Sequence, residues 1–466
     1  MSVGLTPYPT QTDSALPWLE SIPADWHEKR AKYFFREVDE RTTSGEEELL
    51  SVSHVTGVTP RSQKNVTMFM AESYSDHKLC RPGDLVINTM WAWMAALGVA
   101  RHTGIVSPAY AVYRPKDPDA FLPEFLDHLL RTKPYAAEYR CRSTGIRSSR
   151  LRLYPEKFLG IPIVCPPRSE QVQILAYLNA KDRQFRRLIR AKRRLIELLN
   201  EQKQAIIHHA ATRGLDPNVR LKPSGIAWLG DVPEGWEVRR AKYSYREVDE
   251  RSETGSEELL SVSHLTGVTP RSEKNITMFM ASSYAGHKMC EPGDLVINTM
   301  WAWMGALGVA RSAGIVSPAY AVYRPLAGSA MLPEFADHLL RIKPYISEYI
   351  CRSTGIRSSR LRLYPDKFLG IPLVLPPRDE QQQIVAAITA GTRDANEAIG
   401  HANRAVDLLR EYRTRLIADV VTGKLDVRGV ELPPLDDDST LDEIDAPDDG
   451  DAQEPLEAGE DGDGPD

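Results

Sequence analysis

CRSTGIRSSRLRLYP occurs twice in this chain, at Cys141–Pro155 and again, without a change, at Cys351–Pro365. Outward from either copy the match continues: Trp18 to Asp216 aligns with Trp228 to Asp426 at a constant offset of 210, with no insertion or deletion. Trp26 meets Trp236, His54 meets His264 and Asp84 meets Asp294. Solenoid repeats run to about 20–50 residues, so a period this long describes two whole domains. That agrees with a length of 466 residues, too long for one compact core. Agreement is uneven, with roughly three-quarters of positions identical between Trp26–Pro167 and Trp236–Pro377 and roughly a third elsewhere in the unit.

Inside the well-matched block, DLVINTMW (Asp84–Trp91) and GIVSPAYAVYRP (Gly104–Pro115) are β-branched and aromatic, bounded by Pro and Gly, and read as strands. FLPEFLDHLLRT (Phe121–Thr132) spaces Phe125, Leu126, Leu129 and Leu130 at helical intervals after Pro123. The block is therefore a mixed α+β domain. After it the pattern changes. PPRSEQVQIL (Pro166–Leu175) and PPRDEQQQIV (Pro376–Val385) offer Ser169 or Asp379 as an N-cap, with Glu170 or Glu380 in the first turn. From Ser169 to about His209 there is no Pro or Gly, and Ile174, Leu178, Phe185, Leu188, Leu195 and Leu199 recur at three, four and seven residues. Leu408, Leu409, Leu416 and Ile417 continue a less regular second copy that contains Gly391 and Gly400. Some 40 residues of helix span about 60 Å. Neither helix can bury its stripe alone, so the expected arrangement is an antiparallel pair with one globular block at each end, pseudo-two-fold symmetric.

Composition narrows the class. Hydrophobic residues at 42% and charged residues at 26% describe a chain that folds in water. The most apolar window, Met300–Ala310, is followed by Arg311 and is too short to cross a bilayer. No basic leader or apolar signal core opens the sequence, so a cytoplasmic location without membrane contact is the expectation. Cys80, Cys141, Cys165, Cys290 and Cys351 are odd in number, lack CxxC spacing and read as free thiols. The net charge of −6 hides an asymmetry: 15 Asp and Glu lie from Asp436 to Asp466, and residues 1–435 alone carry +9. A basic body points to a polyanion partner, and the acidic tail is too poor in apolar residues to order itself.

The order of WLGDVPEGWEV (Trp228–Val238), a strand-rich block, PPRDEQQQI (Pro376–Ile384), a long helix and LIADVVTGKLDVR (Leu416–Arg428) resembles the specificity subunit of Type I restriction-modification systems. The resemblance covers nearly all of the first 430 residues. It implies two target recognition domains, each reading half of a bipartite site on double-stranded DNA, held apart by two antiparallel spacer helices. Those helices would dock two modification (methyltransferase) subunits and, through them, ATP-dependent restriction subunits. S-adenosylmethionine is then expected on the modification subunits, with no cofactor on this chain. In the family the recognition domains usually differ while the spacers agree; here the reverse holds. The resulting division is an N-terminal segment (1–25), recognition domain 1 (26–167), spacer helix 1 (168–212), a connector equivalent to the N-terminal segment (213–235), recognition domain 2 (236–377), spacer helix 2 (378–422) and a C-terminal segment (423–466) ending in a disordered acidic tail.

Catalytic motifs are absent. An exocyclic-amine methyltransferase needs an Asp/Asn-Pro-Pro-aromatic loop, whereas the PP pairs at Pro166 and Pro376 follow Cys165 and Leu375. No GxxxxGK[ST] phosphate loop occurs. The chain is expected to bind rather than catalyse. In the repeated arginine run, Arg142, Arg147 and Arg150 (with Arg352, Arg357 and Arg360) are candidates for DNA contact, because Arg reaches guanine O6 and N7 through two bonds. Arg152, alternating with Leu151 and Leu153, reads instead as structural. TPRSQKN (Thr59–Asn65) and TPRSEKN (Thr269–Asn275) add Arg61, Lys64 and Asn65 with Arg271, Lys274 and Asn275; an Asn can read adenine through paired bonds, although turn asparagines are common. Trp91 and Trp93 in NTMWAWM read as core, with stacking on bases as the rival reading. His54 and His77 beside Cys80 lack a second ligand pair at metal spacing, so no metal is expected. The first helix crowds Lys181, Arg183, Arg186, Arg187, Arg190, Lys192, Arg193 and Arg194 together, facing DNA, an acidic partner or solvent. Two rivals remain: a stand-alone two-headed DNA-binding or decoy protein without modification partners, and, more distantly, a nuclease.

Overall fold

The computed structural model describes residues 5–63, 74–145, 151–273, 283–355 and 361–432. Two compact units are present, one built from the chain up to Arg190 together with the chain from Ala405 onward, the other from Ala191 to Arg404. Each unit is organised around a four-stranded antiparallel sheet. In unit 1 the spatial order is Phe35–Val38, Ala111–Pro115, Leu85–Ile87, Leu97–Val99, with Val112 opposite both Val38 and Val86. Unit 2 repeats it as Tyr245–Val248, Ala321–Pro325, Leu295–Ile297, Leu307–Val309, with Val322 opposite Val248 and Val296.

The period-2 alternation of strands divides the core into two layers. Leu85, Ile87, Ala111 and Tyr113 pack with Phe125, Leu129, Tyr135, Tyr139 and Phe158, which come from the helices Pro123–Leu130, Lys133–Arg142 and Pro155–Leu159. Val86 and Val112 face the other way, against Leu50, Val52 and Val58 of a hairpin and against Cys80 and Val106. Both faces are covered, so these strands are unbroken apolar runs. Their open end carries Asp84, only 1% exposed. Its carboxylate accepts from Arg114 Nε at 2.9 Å and Nη2 at 2.9 Å and from the Arg81 backbone N–H at 2.9 Å, while Glu40 takes Arg114 Nη1 at 2.7 Å. Asp294, Arg324 and Glu250 repeat the arrangement.

The strand 85–87 and the strand 97–99 are joined by a tip whose last turn needs a left-handed residue: Ala95 at φ 60° in unit 1, Gly305 at φ 81° in unit 2. A Cβ on Gly305 would lie 2.9 Å from Ile346 Cδ1, and the residue equivalent to Ile346 in unit 1 is the smaller Ala136. Gly305→Ala is therefore expected to destabilise unit 2 by about 1–2 kcal/mol through left-handed strain alone. A melting temperature equal to that of the parent would contradict this.

The long helices run Arg168–Arg213 and Arg378–Val421. They begin before the expected caps, so Ser169 and Asp379 lie inside the first turn. The repeated Gln explains the PPR(S/D)EQ motif. Gln171 is fully buried; its Oε1 accepts from Leu122 N–H at 2.8 Å and its Nε2 donates to the carbonyls of Ala120 and Pro166 at 2.9 and 3.0 Å. Gln381 does the same for Leu332, Ala330 and Pro376. One amide thus clamps the helix start to the loop ahead of Pro123 or Pro333.

Within each unit the two helix portions run antiparallel. In unit 1, Leu175, Leu178 and Phe185 share a cluster with Leu416, Val420 and Val421, Phe185 meets Tyr412 edge-on at 5.6 Å, and Arg413 pairs with Asp182. In unit 2, Ala210 and Ala211 pack with Ile384 and Ile388. The expected stripe is only partly covered: Ile174, Leu178 and Phe185 are buried, whereas Leu188, Leu195 and Leu408 are exposed. No helix among the described residues is long and apolar enough to cross a membrane.

Unit 1 also contains both extremities of the described chain. Val427 lies in the core with Tyr8, Leu16, Ile22 and Trp26, and Asp426 N–H donates to the Thr6 carbonyl at 2.9 Å. Asp426 holds Arg428 at 2.8 Å, with the guanidinium 4.8 Å above the Tyr8 ring, and the Tyr8 hydroxyl donates to buried Glu170 at 2.5 Å. In unit 2 the corresponding place is crossed by continuous chain, from Gly214 beside Trp236 through the pair of strands Leu221–Pro223 and Asp231–Pro233.

Candidate nucleic-acid interface

Three separate stretches of sequence carry the candidate residues in each unit, and two of them meet at the end of the strand Leu85–Ile87 opposite Asp84. The first is the tip 88–96. Asn88 N–H donates to Ala96 O at 3.0 Å, the Asn88 carbonyl accepts from Trp91 N–H at 3.0 Å, and its side-chain Oδ1 caps Met90 N–H at 3.3 Å. A short 3-10 turn, Ala92–Met94, follows. The second stretch is the arginine run. Thr144 and Arg152 exchange backbone hydrogen bonds at 3.0 and 2.9 Å, which closes a neck, and Leu153 N–H donates to Thr89 O at 2.9 Å, which ties that neck to the tip. Thr89 is anchored in turn by its hydroxyl on Ala109 O at 2.9 Å. The third is the turn carrying Arg61. Tyr110 packs against the layer of Leu50, Val52 and Val58 that leads into this turn, and burial raises its phenol above the ordinary range. Unit 2 repeats the neck at Thr354 and Arg362, the tie from Leu363 to Thr299, and the anchor on Ala319.

The candidate residues distribute as follows. Arg61 and its counterpart Arg271 are both partly exposed and each opens a short 3-10 turn. Arg142 ends the helix Lys133–Arg142 and pairs with Glu138 at 2.5 Å, as Arg352 does with Glu348, so these guanidinium groups already have carboxylate partners. Lys64, Asn65, Arg147, Arg150, Lys274, Asn275, Arg357 and Arg360 lie outside the described residues, as does the acidic tail. Arg152 differs from its structural reading: the backbone shapes the neck while the side chain is exposed, and Arg362 matches it. Trp91 also differs from the core reading. It is 49% exposed, beside Met90 at 36%, and Tyr154 past the neck is 43% exposed. Trp91 stacks on Trp93 with centroids 6.1 Å apart and planes at 20°, and Trp301 on Trp303 at 6.0 Å and 18°.

Sites of other kinds are not assembled nearby. Among the described residues no group of three or more His, Cys, Asp or Glu side chains is placed to hold a metal. His54 contributes only its carbonyl, which accepts from Arg131 at 2.8 Å, and His77 packs edge-on against Tyr74. Burial pushes the Cys80 and Cys290 thiols up to about 12, which keeps them protonated and unreactive at neutral pH. A cavity of about 290 Å³ in unit 1 is lined by Phe34, Arg81 and Phe121 among others, but unit 2 has Ser244, Glu291 and Met331 at those positions. The lining diverges between the copies, whereas Thr59–Ser62, Asp84–Met94 and Cys141–Pro155 are identical to their counterparts.

A structure described as the basis of complex assembly and conformational transition of the type I R-M system superposes on 87% of this chain and 99% of its own, with a TM-score of 0.57 at 16% identity. The chain has the fold of a type I restriction-modification component. The HsdS subunit from Thermoanaerobacter tengcongensis matches over 87% of this chain and 98% of its own, at 18% identity and a TM-score of 0.40. The S subunit from M. genitalium matches over 89% and 99%, at 11% identity and a TM-score of 0.32. Comparison of the sequence with protein-family models and with curated proteins finds no match.

Proposed function

We propose that this chain is the DNA-specificity subunit of a type I restriction-modification complex. The observation that carries the reading is the duplicated surface: two units present the same tip, neck and arginine-bearing turn, with Asp84–Met94, Cys141–Pro155 and Thr59–Ser62 identical to their counterparts and the exchanges Ala95/Gly305 and Gln63/Glu273 beside them. Arg side chains around a polar neck suit duplex DNA, where phosphate contacts position and base-edge contacts specify. Identical surfaces read the same short pattern. With the two-fold arrangement expected from the sequence, the target is a bipartite palindrome with half-site centres about one helical turn, or about 10 base pairs, apart. Two modification subunits carrying S-adenosylmethionine dock on the long helices, where Leu195, Leu198 and Leu408 are exposed, and restriction subunits join through them.

The test combines the purified chain with a modification subunit and S-adenosylmethionine, followed by sequencing of methylated adenines. The chain alone is expected neither to methylate nor to cleave, and the complex to methylate both halves of one inverted repeat. Two unrelated half-sites would refute the shared readout, and a direct repeat would refute the two-fold arrangement. DNA binding without methylation in any such mixture would favour a stand-alone two-headed DNA-binding protein.

A further inference from the structure

We propose that the outer faces of Trp91 and Trp301 stack on a base that is unstacked from the duplex, so that each unit reads its half-site partly through an aromatic column of Trp93, Trp91 and base, or Trp303, Trp301 and base. The inference rests on the DNA-recognition reading and specifies what part of the DNA the tip touches.

Four features carry it. Trp is highly buried on average, yet Trp91 stands half exposed at the end of a hairpin tip whose neighbour Met90 is also exposed, and their counterparts Trp301 and Met300 are partly exposed. Its inner face is already occupied by Trp93 at near-parallel planes, which leaves one indole face open. The tip is rigid before any ligand arrives: Asn88 caps it, Thr89 is anchored on Ala109, and the 3-10 turn closes through a left-handed residue. Little side-chain freedom then remains to be given up on binding. The surroundings include a cation, Arg152, exposed on the neck that Leu153 ties to Thr89. An aromatic face beside an exposed arginine matches the composition of base-stacking sites, where the π-face takes a base and the cation holds the backbone. The face of an indole, unlike its Nε1–H edge, has no donor for a phosphate, and apolar wedges at base steps are a known way to open a duplex.

The experiment uses the full chain as wild type, as the double variant Trp91→Ala/Trp301→Ala, and as Trp91→Phe/Trp301→Phe. A pool of 40-base-pair duplexes randomised over 20 positions is enriched on the wild type. The winning duplex is then labelled in turn with 2-aminopurine for each adenine and pyrrolocytosine for each cytosine, on both strands. One position per half-site is expected to change its emission when the wild type binds, because the base exchanges its neighbours in the duplex for an indole face. The alanine pair should abolish that change and weaken binding by about tenfold to a hundredfold, the range of stacking effects on alanine substitution. The phenylalanine pair should keep the affinity largely intact, which separates the removal of stacking from misfolding. An emission change and an affinity that are both unaltered in the alanine pair would overturn the proposal. So would weaker binding with no responsive position in the wild type, or intact DNA binding with loss of modification-subunit docking. A wild type that enriches no duplex at all would refute the DNA-recognition reading itself, and this inference with it.

Discussion

Asp84→Ala is expected to lower the stability of unit 1 by about 3 kcal/mol, because it strands a guanidinium that is mostly covered. Arg114 is 18% exposed at its side chain and sends Nε and Nη2 to Asp84. Donation to the Asp84 and Glu40 carboxylates raises its pKa further above an already high value, so it stays charged under all ordinary conditions. Removal of Asp84 leaves Glu40 as partner for one edge, and also frees the Arg81 backbone N–H. Asp84→Asn retains the size and one acceptor and should cost less. The combination Asp84→Ala/Arg114→Met should recover part of the stability, since replacing both members of a buried pair by apolar groups is often neutral. Thermal unfolding followed by calorimetry reads all three. A transition of unit 1 unmoved by Asp84→Ala would show that the ion pair contributes nothing. The same variant should loosen the tip, because Asp84 heads the strand that leads into Asn88.

The second large effect concerns specificity. Arg147→Ala together with Arg357→Ala is expected to cost about 1–3 kcal/mol for each arginine that reads a base edge and to relax one position in each half-site. Arg147→Ala alone should relax one half only. The neck that closes each arginine run, Thr144 with Arg152 and Thr354 with Arg362, fixes where these loops leave the domain. Binding selections with randomised half-sites separate the outcomes. Uniformly weaker binding with unchanged preference would place these residues on phosphates instead of bases.

Much of the architecture is legible in the sequence because it depends on periodicity. β-Branched and aromatic runs bounded by Pro and Gly mark the strands around Val86 and Val112, and the 210-residue offset marks the two units. The long helices are visible from the absence of Pro and Gly, but their starts are not: Ser169 looks like a cap, and a residue inside the first turn has the same composition. Gln171 carries no periodic signal, although it matches Gln381 in a poorly matched region, a sign that its amide has fixed partners. Trp91 reads as core because NTMWAWM alternates like a buried strand. The chain instead turns there, and the clue is Gly305 in the place of Ala95, which marks a left-handed backbone that no continuous strand adopts. Periodicity says nothing of the repeated run from Cys141, since Arg, Ser and Gly specify neither turn nor strand on their own.

The meeting of residues 5–26 with residues 422–432 in unit 1 has a topological consequence. What continuous peptide accomplishes between Gly214 and Trp236, side chains of Tyr8, Asp426 and Arg428 accomplish without a bond. Residues 5–26 and 422–432 are thus as much a part of the unit 1 core as its sheet, and a cut made between 214 and 236 would leave unit 2 depending on the same kind of side-chain closure that unit 1 already uses.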